Sequence, residues 1–232
     1  MNWKSFYEKL VVDPELIARD FCEWQIDLAK LIESRLPSGD ILEAGSGHGV
    51  TTLLVDSVNR SKTLLDLERP AIEVAQKVFS YAKQNAEFVI GDLFNMEFSD
   101  GCFDMTFNAG VLEHFTFAER CDALREMSRV TRCGGVVLVA VPNHFSKPYR
   151  YGYDYLHLKG KWPYPDEYPI YDFSSELKEI PELIEPQRLV LSPRTPFSFL
   201  RRHQRILFRL YGMFKKFEGY LTVLVFKKKN GS

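Results

Sequence analysis

The sequence predicts an α/β fold in which a parallel sheet is covered by helices on both of its faces. Short apolar runs of strand length alternate along the chain with segments whose apolar residues recur at helical spacing. The runs are continuously apolar, which is typical of strands that are buried on both sides. With 232 residues the chain has room for one sizeable core, so we expect a single domain over residues 1–232.

The predicted elements follow in regular alternation. An amphipathic helix is predicted to begin at Asp13 and Pro14 and to end at Pro37, within an N-terminal helical extension over residues 1–37. Its apolar face consists of Ile17, Phe21, Trp24, Leu28 and Leu31. Strands are predicted at residues 41–44, 62–65, 88–90, 103–107, 136–141 and 221–226. The helices between them are predicted at residues 50–58, 70–84 and 117–130.

The first strand runs into a glycine-rich loop that is typical of nucleotide-type cofactor sites. Glu43 is followed by Gly45, Gly47 and Gly49, where the backbone can approach a ligand because no Cβ intervenes. A dinucleotide fingerprint would place its third glycine at position 50, and a phosphate-binding loop would end in a lysine that is missing here. Glu43 would repel a pyrophosphate and favour a ligand with a cationic end. The alternative is a tight strand-to-helix turn without a ligand.

This order of residues resembles the first motif of the class I S-adenosylmethionine-dependent methyltransferases. The resemblance implies a Rossmann-like doubly wound sheet, mostly parallel with an antiparallel last strand, and S-adenosyl-L-methionine as the cofactor. It also implies that Glu43 lies near the ammonium group of the cofactor. Gly45, Gly47 and Gly49 would receive its amino-acid end.

Further motifs follow at the predicted carboxyl ends of the next strands, where ligands bind in such sheets. Asp66, with Leu67 beside it, lies about 20 residues after the first glycine, a spacing that suits hydrogen bonds to a ribose diol. In the family that the chain resembles, Asp92 and Leu93 would contact the adenine, and Asn108 would contact both cofactor and substrate. The alternatives are a helix cap at Asp66 and a surface turn at Asp92.

The stretch Val111-Leu112-Glu113-His114 resembles the segment that lines the substrate side in the small-molecule branch of the same family. Methyl transfer mainly needs donor and acceptor held in line, and a general base helps when the acceptor is a hydroxyl. His114 is the candidate base because its ordinary pKa lies near neutrality, and Glu113 would orient it or contact substrate. The alternative is a structural cap at a helix start, and His144 and His157 are weaker candidates for the base.

The methyl acceptor is constrained mainly by what the sequence lacks. No Asn/Asp-Pro-Pro-aromatic motif follows the fourth strand, and no Pro-Cys pair exists, so methylation of DNA bases is not expected. The formal net charge of −1 also argues against nucleic acid as a partner. A small-molecule, lipid-linked or sugar-type acceptor is predicted, with O-methylation slightly favoured over N or C. The alternatives are a catalytically silent cofactor-binding partner protein and an NAD-dependent reductase or epimerase.

Two insertions are predicted in the second half of the chain. Residues 143–172 hold seven of the eleven tyrosines and lack periodicity, so we interpret them as an aromatic lid that stacks on substrate through Trp162; a packing excursion is the alternative. Residues 198–218 form a basic amphipathic helix that could contact a membrane or an anionic substrate, although packing of its apolar face on the domain is favoured. That face consists of Phe199, His203, Ile206, Leu210, Phe214 and Phe217.

The remaining expectations concern location and metals. The start of the chain has no apolar leader and the apolar runs are too short to cross a bilayer, so a cytoplasmic location is predicted. Cys22, Cys102, Cys121 and Cys133 form no Cys-x-x-Cys pair, so we expect four reduced thiols and no metal site. The oligomeric state cannot be predicted from the sequence.

Overall fold

A seven-stranded sheet forms the centre of the protein in a computed structural model, which describes residues 3, 7, 13–196, 200–212 and 216–230. The strands are β1 (Gly39–Ala44), β2 (Arg60–Asp66), β3 (Glu87–Ile90), β4 (Phe103–Ala109), β5 (Thr131–Pro142), β6 (Leu183–Leu191) and β7 (Leu221–Lys228). Their order across the sheet is β3-β2-β1-β4-β5-β7-β6, and the first five are parallel. The last strand of the chain, β7, is antiparallel to both β5 and β6. The predicted fold class is therefore confirmed.

The helices occupy the connections between strands. They are α1 (Pro14–Ile17), α2 (Glu23–Arg35), α3 (Val50–Leu54), α4 (Arg69–Tyr81), α5 (Phe117–Val130), α6 (Lys147–Leu158) and α7 (Arg202–Gly212). Short 3-10 turns lie at Leu112–His114 and Glu176–Lys178. None of the helices that can be described has the length and apolar character needed to span a bilayer.

Helices cover both faces of the sheet because neighbouring residues of each strand point to opposite sides. On one face, Leu42 and Leu65 pack in a cluster with Leu124 and Met127 of α5. On the other face, Ile41 packs with Leu28 and Ile32 of α2, while α3 and α4 cover β2. This doubly covered sheet leaves the carboxyl ends of β1, β2 and β4 side by side, which is where the predicted site residues lie.

The predicted N-terminal helix is two helices, α1 and α2, joined by a break at residues 18–22. The break lies where the apolar face changes partners, because Ile17 and Phe21 pack with α4 whereas Leu28 packs under β1 and β4. Cys22 begins α2 in a capping box, in which its N–H donates to Gln25 Oε1 at 2.8 Å. A continuous helix could not bury both sets of residues.

Other boundaries also differ from the prediction. The helix predicted at 50–58 ends at Leu54, because Val55 is buried in an extended conformation. The strand predicted at 136–141 begins earlier, because β5 starts at Thr131 directly after α5. The edge strand β6 was not predicted, because Pro186 interrupts its apolar pattern at an irregularity that an edge strand tolerates.

The predicted lid is not a loop throughout, since residues 147–158 form α6. Pro148 lies in its first turn, and Tyr149, Tyr153 and His157 recur at intervals of four residues. Tyr149 and Tyr153 are buried, so this spacing is a helical period that the abundance of tyrosine and proline concealed. All four cysteines of the chain are free thiols.

Candidate functional site

The glycine loop has a backbone that only glycine adopts easily. Gly45, Gly47 and Gly49 have φ angles of 76°, 53° and 69°, in the left-handed region. Gly49 also directly precedes α3, and a Cβ there would lie 2.1 Å from Leu64 Cδ2. The loop therefore passes tightly over β2 and directs its backbone toward the cleft described below.

Glu43 is buried under the glycine loop, with only 3% of its surface exposed. Its carboxylate accepts hydrogen bonds from the hydroxyl of Thr52 at 2.6 Å and from the backbone N–H of Thr52 at 3.4 Å. Burial raises the pKa of Glu43 to about 8, and the nearby charge of Asp66 acts in the same direction. A cation that binds beside this carboxyl would favour its ionised form.

Asp66 connects the end of β2 to the glycine loop. One carboxylate oxygen accepts the N–H of Gly47 at 2.7 Å and the other accepts the N–H of Glu68 at 2.9 Å. Burial raises the pKa of Asp66 above its ordinary value. The residue that precedes α4 is Glu68, so Asp66 is not the helix cap considered as its alternative. Leu67 is largely exposed beside it.

The other predicted cofactor residues differ in their accessibility. Asp92 is exposed and accepts the N–H of Phe94 at 2.9 Å in a local turn, while Leu93 is buried. Asn108 is fully buried, and its side-chain amide donates to the carbonyl of Ala44 at the end of β1. Its Oδ1 has no hydrogen-bond partner within the described part of the chain. Asn108 thus holds β1 against β4, and its contact with cofactor and substrate stays a prediction.

A cleft of about 560 Å³ extends from the glycine loop to the lid. Its loop end includes Glu43, Ser46 and Gly49, and its lid end includes Glu113, His114 and Glu167. Six aromatic residues form much of the wall between them: Trp3, Tyr7, Trp24, Trp162, Tyr164 and Tyr220. Three glutamates line this cleft, and no lysine or arginine does so among the residues with described positions. Its electrostatic character therefore suits a cationic ligand.

Glu113 and His114 lie together in the 3-10 turn that follows β4. Glu113 is 2% exposed, with Oε1 3.8 Å from Nε2 of His114 and Oε2 without a partner among the described residues. Burial raises the pKa of Glu113 well above its ordinary range, and the charge of Glu167 adds to the shift. The helix start that follows is capped by Thr116, so capping does not explain His114.

The proton position on His114 follows from its hydrogen bond. Nδ1 lies 3.0 Å from the carbonyl oxygen of Asp166, and a carbonyl can only accept. We therefore assign the proton to Nδ1, which leaves the lone pair of Nε2 facing Glu113. Burial lowers the pKa of His114, which favours this neutral form.

The lid brings Glu167, which the sequence did not single out, to the same place. Its Oε2 lies 2.7 Å from Nε2 of His144 and accepts the hydroxyl of Tyr149 at 2.7 Å. The N–H of Tyr168 donates to the carbonyl of Glu113 at 2.7 Å, which fixes the lid against the 3-10 turn. His144 therefore lies behind Glu167, and His157 stacks on Trp162 with ring centroids 5.6 Å apart. Neither has the position expected of a base.

Trp3 and Tyr7 also contribute to the cleft, although no motif marks them in the sequence. The ring of Trp3 meets the edge of His114 with centroids 5.1 Å apart, and Tyr7 meets His48 at 5.5 Å. A Cβ at Gly47 would lie 2.9 Å from the hydroxyl of Tyr7. The N-terminal extension thus reaches both ends of the cleft.

The amphipathic helix α7 has its apolar residues in an unexpected position. The predicted apolar face was expected to pack on the domain, but His203, Ile206 and Leu210 are exposed. Phe217, beyond the end of the helix, contacts Phe208, while Phe199 and Phe214 lie outside the described residues. The helix packs instead through Gln204 and Phe208, which contact Tyr151. This rotation leaves an apolar stripe facing solvent.

Comparisons with known proteins find sequence similarity in the part of the chain that contains the glycine loop. A family model described as a methyltransferase domain matches residues 41–135. A probable S-adenosylmethionine-dependent methyltransferase of Mycobacterium tuberculosis is 27% identical over 112 residues, which are 48% of this chain and 39% of that protein. The chain therefore matches well under half the length of this curated relative.

Solved structures resemble nearly the whole chain. A Thermotoga maritima protein, described as an S-adenosylmethionine-dependent methyltransferase and possible histamine N-methyltransferase, has a TM-score of 0.67 at 17% identity, covering 98% of this chain and 100% of that one. The geranyl diphosphate C-methyltransferase of Streptomyces coelicolor has a TM-score of 0.64 at 12% identity, covering 97% and 96%. At these identities the likeness establishes the fold alone.

Proposed function

We propose that this chain is a class I S-adenosylmethionine-dependent methyltransferase and transfers a methyl group from S-adenosyl-L-methionine to a small-molecule acceptor held in the cleft. The observation that carries the proposal is the loop end of the cleft. Glu43 is buried there under a loop of three left-handed glycines. Asp66, buried at the end of the neighbouring strand, accepts the N–H of one of these glycines, Gly47. No cationic side chain among the described cleft residues competes for these two carboxylates.

The residues fit the cofactor in a definite way. Glu43 would accept the ammonium group, the backbone of Gly45, Gly47 and Gly49 would lie along the amino-acid end, and Asp66 would accept the ribose hydroxyls. Asp92 with Leu93 would hold the adenine. When bound, the cofactor supplies a methyl group on a positively charged sulfur, so the protein has no need to activate the donor further.

The protein contributes position, exclusion of water and one proton acceptor. The aromatic wall and the lid surround the lid end of the cleft, where holding an acceptor in line can lower the barrier by several kcal/mol. His114 presents an unprotonated Nε2 there and would take the proton that the acceptor loses. Glu113, 3.8 Å away, would stabilise the imidazolium that results.

The chemical class of the methyl acceptor is less directly indicated by the residues of the cleft than the cofactor is. The sequence slightly favoured O-methylation of a small, lipid-linked or sugar-type acceptor, and a base at His114 would serve a hydroxyl or an amine. A catalytically silent cofactor-binding protein is the alternative, because the loop end alone would account for binding without turnover. The cytoplasmic location stays a prediction.

Calorimetry with the purified chain tests this function. We expect S-adenosylhomocysteine to bind and NAD to show no heat, because the spacing of the glycines suits the former. Transfer of a labelled methyl group to a panel of small acceptors should then be abolished or strongly reduced in His114→Ala. Absence of cofactor binding by folded protein would overturn the proposal, binding without transfer to any acceptor would favour the silent alternative, and full turnover in His114→Ala would remove the base.

A membrane contact through α7 is supported by its exposed stripe. Ile206, Leu207 and Leu210 are 53%, 67% and 53% exposed, and the exposed Arg202 and Arg205 lie on the same helix. Apolar side chains flanked by arginine favour the surface of an anionic bilayer.

Vesicle sedimentation tests this contact. We expect binding to phosphatidylserine vesicles but not to phosphatidylcholine vesicles, and loss of binding in Ile206→Ser/Leu207→Ser. Val58→Ser, which removes an equally exposed apolar residue elsewhere, is the control. Equal binding by all three proteins would contradict a role for α7.

A further inference from the structure

The lid end of the cleft holds more hydrogen-bond acceptors than the chain itself satisfies. Nε2 of His114 has a free lone pair, Oε2 of Glu113 is buried without a partner among the described residues, and Glu167 presents a second carboxylate. One ligand atom from each of the three lies within 4.8 Å of the others. A methyl acceptor with a single hydroxyl could donate a hydrogen bond to only one of these three groups.

We propose that this cluster is the recognition site for the positively charged amino group of the methyl acceptor, so that the reaction is N-methylation of a primary or secondary amine. The inference rests on the proposed methyl transfer and names its substrate class. It departs from the slight preference for O-methylation that the sequence suggested.

The dimensions of the cluster match an ammonium group. A tetrahedral ammonium that makes hydrogen bonds of about 2.8 Å spaces the atoms that accept them about 4.6 Å apart, and these three atoms all lie within 4.8 Å of one another. An ammonium also supplies up to three donors and no acceptor, which is the complement of the three groups.

The surroundings of the cluster favour a cation as well. Trp3, Tyr164 and Trp162 form a continuous wall, with successive ring centroids 6.5 and 5.6 Å apart, and Trp3 contacts the ring of His114. Aromatic faces attract ammonium groups, more strongly where water is excluded. No lysine or arginine among the described cleft residues neutralises Glu113 and Glu167, so an incoming cation would compensate two buried carboxyls.

Residues outside the cleft fix the carboxylate of Glu167 in position through hydrogen bonds. Tyr149 donates to Oε2 of Glu167, and Nε2 of His144 lies 2.7 Å from the same oxygen. The guanidinium of Arg150 lies 3.1 Å from the other ring nitrogen of His144, so that nitrogen accepts and Nε2 carries the proton that it donates to Glu167. The two donors fix one oxygen of the carboxylate and orient the group toward Glu113.

The cluster also accounts for the proton that must leave. The acceptor ammonium gives one proton to Nε2 of His114, and the neutral amine then turns about its bond to carbon. The freed lone pair of its nitrogen thereby faces the methyl carbon and forms the new bond. The bond between that carbon and sulfur breaks and its electron pair stays on sulfur. The products are a methylated ammonium and S-adenosylhomocysteine, with the two carboxyls facing a positive charge before and after the transfer.

A matched pair of probes tests the assignment on the enzyme saturated with S-adenosylhomocysteine. We expect 2-phenylethylamine to bind at least about tenfold more tightly than 2-phenylethanol, since a charge-assisted hydrogen bond is the stronger by that amount. Glu113→Gln and Glu167→Gln should each lower amine affinity by about tenfold and leave affinity for S-adenosylhomocysteine unchanged. Glu73→Gln, on the exposed side of α4, is the control.

The possible results are distinct. Equal affinity for the two probes, or no binding of either by enzyme that binds S-adenosylhomocysteine, overturns the amine assignment and leaves the proposed function intact. Stoichiometric uptake of Mn²⁺ that Glu167→Gln abolishes would replace the amine with a metal ion. Failure to bind S-adenosylhomocysteine would overturn the proposed function itself. The comparison of probes on the unmodified enzyme decides the question even if a variant does not fold.

Discussion

The two ends of the cleft are built in different ways. The loop end depends largely on backbone, because three glycines there adopt left-handed conformations. Backbone N–H groups also bind the carboxylates of Glu43 and Asp66, together with the hydroxyl of Thr52 at Glu43. The lid end is made of side chains from distant segments, since Glu113 and Glu167 meet only because the lid folds back over the 3-10 turn. A shared cofactor can be held by a constant backbone, whereas an acceptor specific to one enzyme needs side chains that can change.

The largest effect that separates the two ends is expected from Gly49→Ala. The left-handed backbone costs about 1–2 kcal/mol and the contact of the new Cβ with Leu64 about 1–3 kcal/mol more, so the free energy of unfolding should fall by about 2–5 kcal/mol. Chemical denaturation measures this loss. Gly160→Ala, with a φ of 62° but no atom within 4 Å of the new Cβ, should lose only the backbone part. Equal losses of unfolding free energy in the two variants would mean that a Cβ at Gly49 does not clash with Leu64 of β2.

The next effect concerns the charge of Glu43. Because burial raises its pKa to about 8, cofactor binding that needs the carboxylate should strengthen about tenfold per pH unit from pH 6 toward pH 8. In the protein without cofactor, the free energy of unfolding depends on pH with the opposite sign. The folded state holds a proton that the unfolded state has lost, so stability falls as pH rises between the two pKa values.

Calorimetry with S-adenosylhomocysteine across this range checks the prediction. Glu43→Gln isolates the effect from Asp66, whose pKa burial also raises, and should flatten the dependence. An unchanged slope in this variant would show that Glu43 does not meet the ammonium group.

A smaller effect, confined to the lid end, is expected from Trp162→Ala. Loss of one aromatic wall should raise KM for the acceptor found in the transfer assay by roughly two- to tenfold and leave cofactor affinity unchanged. Steady-state kinetics and calorimetry give the two values. Tyr171→Ala, a half-exposed aromatic residue of the lid that does not line the cleft, should change neither. A parallel loss of cofactor affinity would mean that the two ends are not separate.

The same contrast explains what the sequence could predict. The strands β1 to β5 and β7 were expected because each is a local apolar run, and the loop-end residues were found because they follow those runs directly. The sequence does not predict β6 because Pro186 breaks its apolar pattern, and it does not predict α6 because the abundance of tyrosine and proline conceals the helical period. The roles of the individual cofactor residues stay predictions.

The lid end was only half predictable. Glu113 and His114 belong to a contiguous motif, but Glu167 and Trp3 are brought to them by contacts that span more than 50 residues of chain. The expectation that the apolar face of α7 is packed was wrong for His203, Ile206 and Leu210, for a similar reason. Helical periodicity identifies an apolar stripe, but the protein surface that the helix meets determines whether the stripe is covered.

The hydrogen bond between the N–H of Tyr168 and the carbonyl of Glu113 has a consequence for the order of events. Any outward swing of the segment around Tyr168 carries Glu167 away and removes the carbonyl of Asp166 from His114. With the lid open, the amine site would thus lack one of its two carboxyls and its oriented imidazole, and it would distinguish an amine from other molecules less well. The protein would therefore distinguish between methyl acceptors as the lid closes. A molecule that does not stabilise the closed lid would dissociate before methyl transfer.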